Sequence, residues 1–202
     1  GLIAYFKKRT LTDEQLAQIK AIIRRMGAES FDERMKASAE VANFGEDGLG
    51  AIGPLRTAAT SEDDPEIRFR ALETLRQIEK VPQGAVASAA ARSLVKLKHA
   101  EATAVILAFL PMSDNASVED DLRSCLGKLA IQNGKFDDVL VKGLKDVNAL
   151  RRAASAVAMI EASVESKTLG DEVAKLVVPM LKTETDADAK FRVAFVLATK
   201  AR

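Results

Sequence analysis

Few residues of this chain have the type and spacing that chemistry requires. The 202 residues include one histidine, His99, and one cysteine, Cys125. His99 has no partner at catalytic or metal-ligand spacing, and it follows the helical segment LVKLK, where a cation interacts favourably with the helix dipole. Cys125 lies between Leu122 and Leu126 on an apolar helical stripe, which favours a buried structural thiol over a reactive one. A single cysteine also excludes an internal disulfide.

The segment GLGAIG, residues 48 to 53, has the GxGxxG spacing of a dinucleotide-binding loop. Such a loop needs a strand before it, whereas the helical pattern ERMKASAEVANFG precedes it here. We therefore interpret Gly45 as a left-handed residue that ends one helix, and the later glycines as the start of the next. The acidic clusters SEDDPE and SVEDDLR lack the alternate spacing of a calcium loop, and helix caps explain them. The sequence predicts no catalytic residue, no cofactor and no metal.

Two basic segments, FKKRT at residues 6 to 10 and IIRRMG at residues 22 to 27, are the candidates for phosphate or nucleic-acid contacts. The whole chain carries 30 Lys and Arg against 29 Asp and Glu, a net charge of +1. Tryptophan is absent and Tyr5 is the only tyrosine, so base stacking has little support. Most phenylalanines are predicted at core or helix-boundary positions, while Phe69 lies off the apolar stripe of its own helix. The sequence therefore does not indicate a nucleic-acid partner.

The elements that must carry these residues are helices. In DDPEIRFRALETLRQIEK, residues 63 to 80, apolar side chains recur at helical spacing on one face. The preceding acids can cap free N–H groups, and a proline fits the first helical position. The segment therefore predicts a helix that needs a neighbour to bury one face, and it must end before Pro82. The stripe residues are Ile67, Ala71, Leu75 and Ile78, and the next predicted stripe is Val86, Ala90, Leu94 and Leu97.

Similar helices recur along the whole chain. An arginine followed by an Ala- and Leu-rich helical pattern returns at irregular intervals, and second helical segments lie between these patterns. Recurrence of this kind is typical of a solenoid of helix pairs, and we expect about ten helices and almost no strand. The longest apolar run, residues 104 to 112, is too short to span a membrane. The recurring positions are Arg34, Arg68, Arg92, Arg123, Arg151 and, more loosely, Lys190 or Arg192.

These patterns resemble HEAT repeats, in the short form common in bacterial proteins. The closest matches are SEDDPEIRFRALETL and LKDVNALRRAASAVAMI, which combine an acidic turn, an apolar residue, an arginine and an Ala/Leu helix. The resemblance covers residues 31 to 200. It implies an all-α fold, an α-α superhelix of antiparallel helix pairs related to armadillo arrays. It also implies that acid and arginine connect adjacent repeats, a role that falls to Asp64 with Arg68 and to Asp146 with Arg151, or with Arg152 in place of Arg151.

The resemblance also sets the expected organisation. Residues 1–30 are predicted as an N-terminal capping segment, and residues 31–202 as one continuous repeat array with an irregular junction near 81–84. Some long bacterial multidomain proteins carry similar segments, which leaves open whether this chain is part of a larger polypeptide. The sequence does not indicate a cellular compartment.

HEAT arrays bind many unrelated molecules, so function is inferred only as a class. The leading interpretation is a non-catalytic scaffold that binds a protein or peptide on the solenoid surface. One alternative is a nucleic-acid-binding or DNA-repair protein of the HEAT-like glycosylase type. The other is a passive spacer within a longer chain.

Overall fold

The computed structural model describes residues 1–45, 48–79, 84–113, 115–164 and 167–200. Within these ranges the chain forms twelve α-helices and one two-stranded hairpin, which confirms the predicted all-α class. Short 3-10 turns, Leu49–Ala51 and Leu110–Met112, adjoin two of the helices. The helices are α1 (Leu2–Lys7), α2 (Asp13–Arg25), α3 (Phe31–Ala42), α4 (Ile52–Ser61), α5 (Pro65–Ile78), α6 (Gly84–Lys96), α7 (Ala102–Phe109), α8 (Ala116–Leu129), α9 (Asp138–Gly143), α10 (Ala149–Ser163), α11 (Lys167–Thr183) and α12 (Ala187–Lys200).

Polar side chains fix where many of these helices begin. Thr12 accepts a hydrogen bond from the backbone N–H of Gln15, and the Gln15 side chain accepts one from the Thr12 N–H, which completes a capping box. Asp64 caps α5 by accepting from the N–H of Glu66 at 2.8 Å, with Pro65 at the first helical position as predicted. Each cap satisfies N–H groups that the helix itself cannot pair. Similar side-chain caps are Ser30, Asp137, Asn148 and Asp186.

The hairpin was not expected from the sequence. Strands β1 (Ile131–Gln132) and β2 (Lys135–Phe136) pair antiparallel, with Ile131 opposite Phe136. Asn133 and Gly134 between them both have positive φ, 53° and 77°, as a tight hairpin turn requires. The Asn-Gly pair was the available signal. The hairpin leads directly into the cap of α9, where the side chain of Asp137 accepts from the Val139 N–H at 2.8 Å.

The chain divides into two compact units. Unit 1 comprises Gly1–Ala87 and Met112–Val118. In it α2 packs on α3 and α4 packs on α5, while α3 lies beside α5 and α2 beside α4. Helices two apart in the chain are therefore neighbours. The core side chains of this unit include Phe6, Ile19, Met26, Val41, Leu55, Ile67 and Ala71.

Unit 2 comprises Ser88–Pro111 and Glu119–Arg202. Its central helix is α10, which packs against α7, α9, α11 and α12. Gly143 permits the close approach of α9, because a Cβ at that position would lie 2.2 Å from Ser155 Oγ on α10. The core side chains of this unit include Leu94, Ile106, Leu110, Leu122, Leu126, Leu140, Met159, Val177 and Val193.

Two positions of the apolar stripe predicted for α6 are wrong. The stripe of α6 was expected to include Val86 and Leu97, but these are 41% and 67% exposed. Phe191 and Phe195, which belong to the phenylalanines predicted mostly at core or helix-boundary positions, are 68% and 58% exposed on α12. Periodicity identifies a helix, whereas the neighbouring helices decide which of its apolar side chains are covered. The burial of Ala90 and Leu94 agrees with the prediction.

Most of the expected junction at 81–84 lies outside the described residues. The helix before it ends at Ile78, ahead of Pro82 as predicted, and the helix after it begins at Gly84. Among the described residues, no helix combines the length and apolar character that crossing a bilayer demands.

Candidate interaction surfaces

One arginine contact recurs in three helices. Arg34, Arg68 and Arg152 each occupy the fourth residue of their helix, α3, α5 and α10. In each case Nη1 donates to the two carbonyl oxygens that lie five and six residues earlier, so the guanidinium closes the turn that leads into its own helix. We call this contact the turn clamp. The donor–acceptor distances are 2.8 Å to Ala28 and 2.8 Å to Glu29 for Arg34, 2.7 Å to Glu62 and 3.1 Å to Asp63 for Arg68, and 2.8 Å to Asp146 and 3.0 Å to Val147 for Arg152.

Two of these arginines also reach a later helix or turn. Arg152 donates from Nε and Nη2 to both carboxylate oxygens of Glu184, at 2.7 Å and 2.6 Å. Arg34 Nε lies 3.0 Å from Glu66 Oε1 on α5, although its N–H is not directed well enough for a hydrogen bond. Arg34 therefore pairs with the next arginine-bearing helix, and Arg152 pairs with the turn between α11 and α12. The sequence analysis did not select Glu66 or Glu184.

The predicted inter-repeat acids lie in the turns before α5 and α10, and the predicted arginines lie near the start of these two helices. Asp64 caps α5, and its carboxylate lies so close to Gly27 that a Cβ there would come within 2.6 Å of Oδ2. Arg68 donates to turn carbonyls as described. Asp146 accepts from the N–H of Asn148 at 2.8 Å, and its Oδ1 lies 3.4 Å from Arg151 Nη1.

The clamp position before α10 is filled by Arg152, the alternative considered from the sequence, rather than by Arg151. The connection between repeats assigned to the predicted residues stays a prediction. The available sequence signal was the arginine at the fourth helical residue after a Ser, Asp or Asn cap.

Glu184 is the most strongly perturbed carboxylate that the structure describes. Its side chain is fully buried. The pKa of Glu184 is lowered from 4.5 to about 2, mainly by the hydrogen bonds from Arg152 and also by the backbone N–H groups of Asp186 and Thr185, against the effect of burial. The carboxylate is therefore held as an anion and has the environment of a structural ion pair rather than of a proton donor.

The residues first considered as catalytic or ligand-binding residues have environments typical of residues with a structural role. Cys125 is 2% exposed, and burial raises the pKa of its thiol, which disfavours the reactive thiolate. His99 Nδ1 accepts a hydrogen bond from the N–H of Glu101 just after α6. Gly48 has φ +69° and a Cβ there would lie 2.5 Å from the Ala42 carbonyl oxygen, so a tight turn after α3 requires this glycine.

Within the described ranges, no three His, Cys, Asp or Glu side chains are grouped so that they could share a metal ion.

The basic segments are partly neutralised. Arg25, in the segment IIRRMG, donates to Glu33 at 2.6 Å and to Glu40 at 2.7 Å. Arg9, in the segment FKKRT, stacks over the ring of Tyr5 with its guanidinium carbon 4.1 Å from the ring centroid. A charge that is paired with two carboxylates contributes little to attracting a phosphate.

Unit 1 exposes large apolar side chains on two adjacent helices. Phe31 and Met35 on α3 are 60% and 48% exposed, and Phe69 on α5 is 60% exposed. Arg70 of α5 lies over the Phe31 ring at 5.6 Å, and its Nη1 lies 3.3 Å from Met35 Sδ. The arginine thereby holds two of these side chains in place at the α3–α5 contact. We call Phe31, Met35 and Phe69 the α3/α5 surface.

Unit 2 contains a groove of about 700 Å³ between α9, α10 and α11. Its apolar lining comes mainly from α9 and α11, and the Arg152–Glu184 ion pair contributes part of its wall. Lys142 of α9 and Lys145 in the turn after it also line the groove, and both are exposed. The apolar lining residues are Val141, Leu144, Leu176, Pro179 and Met180.

Comparison with known proteins identifies no relative. A scan against protein-family models, a search of curated proteins and a search of solved structures gave no match.

Proposed function

We propose that this chain is a non-catalytic protein-binding module of the HEAT-like type, an α-α superhelix that holds a partner protein on the α3/α5 surface. The observation that carries the proposal is the exposure of Phe31, Met35 and Phe69 on two packed helices. Neighbouring exposed apolar side chains of this size are typical of interaction sites. The side-by-side packing of alternate helices and the recurring turn clamp support the repeat architecture.

The α3/α5 surface is suited to a partner because part of it is already ordered. The guanidinium groups of Arg34 and Arg70 both lie near the Phe31 ring, with centroid distances of 5.7 Å and 5.6 Å. A side chain held in this way loses less conformational entropy on binding than a free one. The occupant we propose is a polypeptide with its own apolar face.

The test uses peptides selected on the whole protein from a random display library, with affinities measured by calorimetry. We expect the double variant F31S/F69S to weaken binding at least tenfold. The matched control is F191S/F195S, which removes two phenylalanines of similar exposure from α12.

Three results would contradict this proposal. The first is unchanged affinity in F31S/F69S, and the second is an equal loss in the control. The third is tighter binding of single-stranded DNA than of any selected peptide, which would favour the nucleic-acid alternative.

A further inference from the structure

We infer that the groove between α9, α10 and α11 in unit 2 is a second binding site, for a peptide segment that carries a bulky apolar side chain next to carboxylates. The inference does not depend on the α3/α5 surface, because it concerns other helices and a different ligand chemistry.

The groove lining accounts for the apolar part of the ligand. Leu144 and Met180 are buried at its base, and Val141 and Leu176 are half-buried on the facing helices. An aliphatic or aromatic side chain placed there would cover the apolar area that water now contacts. Removal of apolar surface from water is the main favourable contribution to most protein–protein association.

Pro179 contributes to the wall on the α11 side. It lies inside this helix, is exposed and lines the groove. Proline has no N–H, so it cannot donate the backbone bond that a residue at this position normally gives to the carbonyl four residues earlier. The wall therefore presents a rigid apolar ring.

The charges of the groove account for the acidic part of the ligand. Arg152 and Glu184 neutralise each other through two hydrogen bonds, and Asp146 pairs with Arg151 at 3.4 Å. The side chains of Lys142 and Lys145, by contrast, have neither a hydrogen bond nor an ion pair with any residue that the structure describes. Two unpaired ammonium groups beside an apolar lining complement a ligand that is both acidic and apolar.

A peptide fits the groove better than a small molecule does. Small-molecule sites usually enclose most of the ligand surface. Here Lys142, Lys145, Pro179 and Thr183 all line the groove and are exposed, so the groove is open along this edge. An open groove can accept one side chain of a segment while the rest of that segment runs across the surface.

The test uses fluorescein-labelled 12-residue peptides with one central Leu or Phe flanked on both sides by two glutamates. Fluorescence polarisation on the full chain measures the dissociation constant at two salt concentrations. We expect binding that weakens at high salt. Replacing the glutamates by glutamines, or the central residue by alanine, should each weaken binding at least fivefold.

The deciding protein variant is K142E/K145E, for which we expect at least a tenfold loss of affinity for the acidic peptides. Both side chains are exposed, so the fold should be retained. The charge-matched control is K175E/K182E, since these exposed lysines of α11 do not line the groove. The variant F31S/F69S should bind these peptides like the parent, which separates this site from the α3/α5 surface.

Several outcomes would overturn the inference. One is an equal loss in the two lysine pairs, and another is an unchanged dissociation constant in K142E/K145E. Binding of decanoate without binding of any peptide would show a small-molecule pocket instead. Failure of every peptide to bind below about 1 mM, about 4 kcal/mol of affinity, would remove the site.

Discussion

Arg152 on α10 and Glu184 after α11 form a bidentate ion pair, in which the glutamate side chain is fully buried and the arginine side chain is 19% exposed. The same guanidinium also clamps the turn before α10 through the carbonyl oxygens of Asp146 and Val147. The Arg152 side chain therefore fixes both the turn that leads into α10 and Glu184, the residue that follows α11.

We expect Arg152→Met to destabilise the protein by about 2–4 kcal/mol, because it leaves the Glu184 carboxylate buried without its cation. Urea denaturation followed by circular dichroism measures the change. The control is Arg76→Met, since Arg76 pairs with Glu73 on the surface of α5. An exposed pair of this kind contributes less than about 1 kcal/mol. Equal losses in the two variants would contradict the structural role of the buried pair.

Glu184 should make the free energy of unfolding depend on pH in the acidic range. Its folded-state pKa of about 2 lies below the ordinary value of 4.5, so the unfolded chain binds the proton first as pH falls. The stabilising contribution is complete above about pH 4.5 and is lost as pH falls toward 2. At 1.36 kcal/mol for each pKa unit, that contribution is on the order of 3 kcal/mol.

The measurement compares the parent with Glu184→Gln, which cannot titrate. We expect the difference in free energy of unfolding between the two proteins to shrink between pH 5 and pH 2.5. A difference that stays constant over this range would show that the carboxylate is not held at a low pKa.

Removing a turn clamp should cost stability without changing helix content at neutral pH. Arg68→Met deletes the bonds to the carbonyl oxygens of Glu62 and Asp63, with an expected loss of about 1–3 kcal/mol. Thermal and urea unfolding measure this loss, and Arg76→Met on the same helix is again the control. If Arg68→Met unfolds at the same urea concentration as the parent, the clamp does not stabilise the turn.

Replacing two glycines of unit 2 by alanine should have opposite effects on the stability of the protein. Gly143→Ala places a methyl group 2.2 Å from Ser155 Oγ and 3.1 Å from Leu107 Cδ2, so we expect a loss of about 1–3 kcal/mol. Gly170→Ala lies inside α11, and apart from the adjacent residues and the backbone of this helix no atom comes within 4 Å of the new methyl. This substitution should stabilise the protein by about 0.5–1 kcal/mol. Chemical denaturation of both variants tests the pair.

A second substitution identifies the cause of the Gly143 effect. Ser155 is fully buried, and its hydroxyl has no hydrogen-bond partner in the part of the chain that the structure describes. Ser155→Ala alone should therefore be close to neutral. Combined with Gly143→Ala it should recover part of the lost stability, because the nearest atom has been removed. Additive effects in this double-mutant cycle would argue against contact between the two positions.

The sequence predicts local features well. Asp64 and Pro65 begin α5 as expected, Ile67 and Ala71 are buried, and Cys125 is a buried thiol. Each of these follows from residues within a turn or two of one another. Cap residues and the spacing of apolar residues within one helix determine these features, so they can be predicted without knowing which helix packs beside it.

Features that depend on distant residues were not predicted. The pairing of Arg152 with Glu184 joins positions 32 residues apart, and nothing in one sequence specifies which acid an arginine will reach. The groove arises from the relative positions of three helices. The exposure of Phe191 and Phe195 likewise depends on which face of α12 packs on α10.

The turn clamp also bears on how the chain folds. Its acceptors lie only five and six residues before the arginine, so forming the contact closes a very short loop and costs little chain entropy. A turn and the first turn of its helix can then become native together, before distant helices meet. We expect the backbone amides of each clamped segment to gain hydrogen-exchange protection early in refolding, as topologies rich in local contacts fold rapidly.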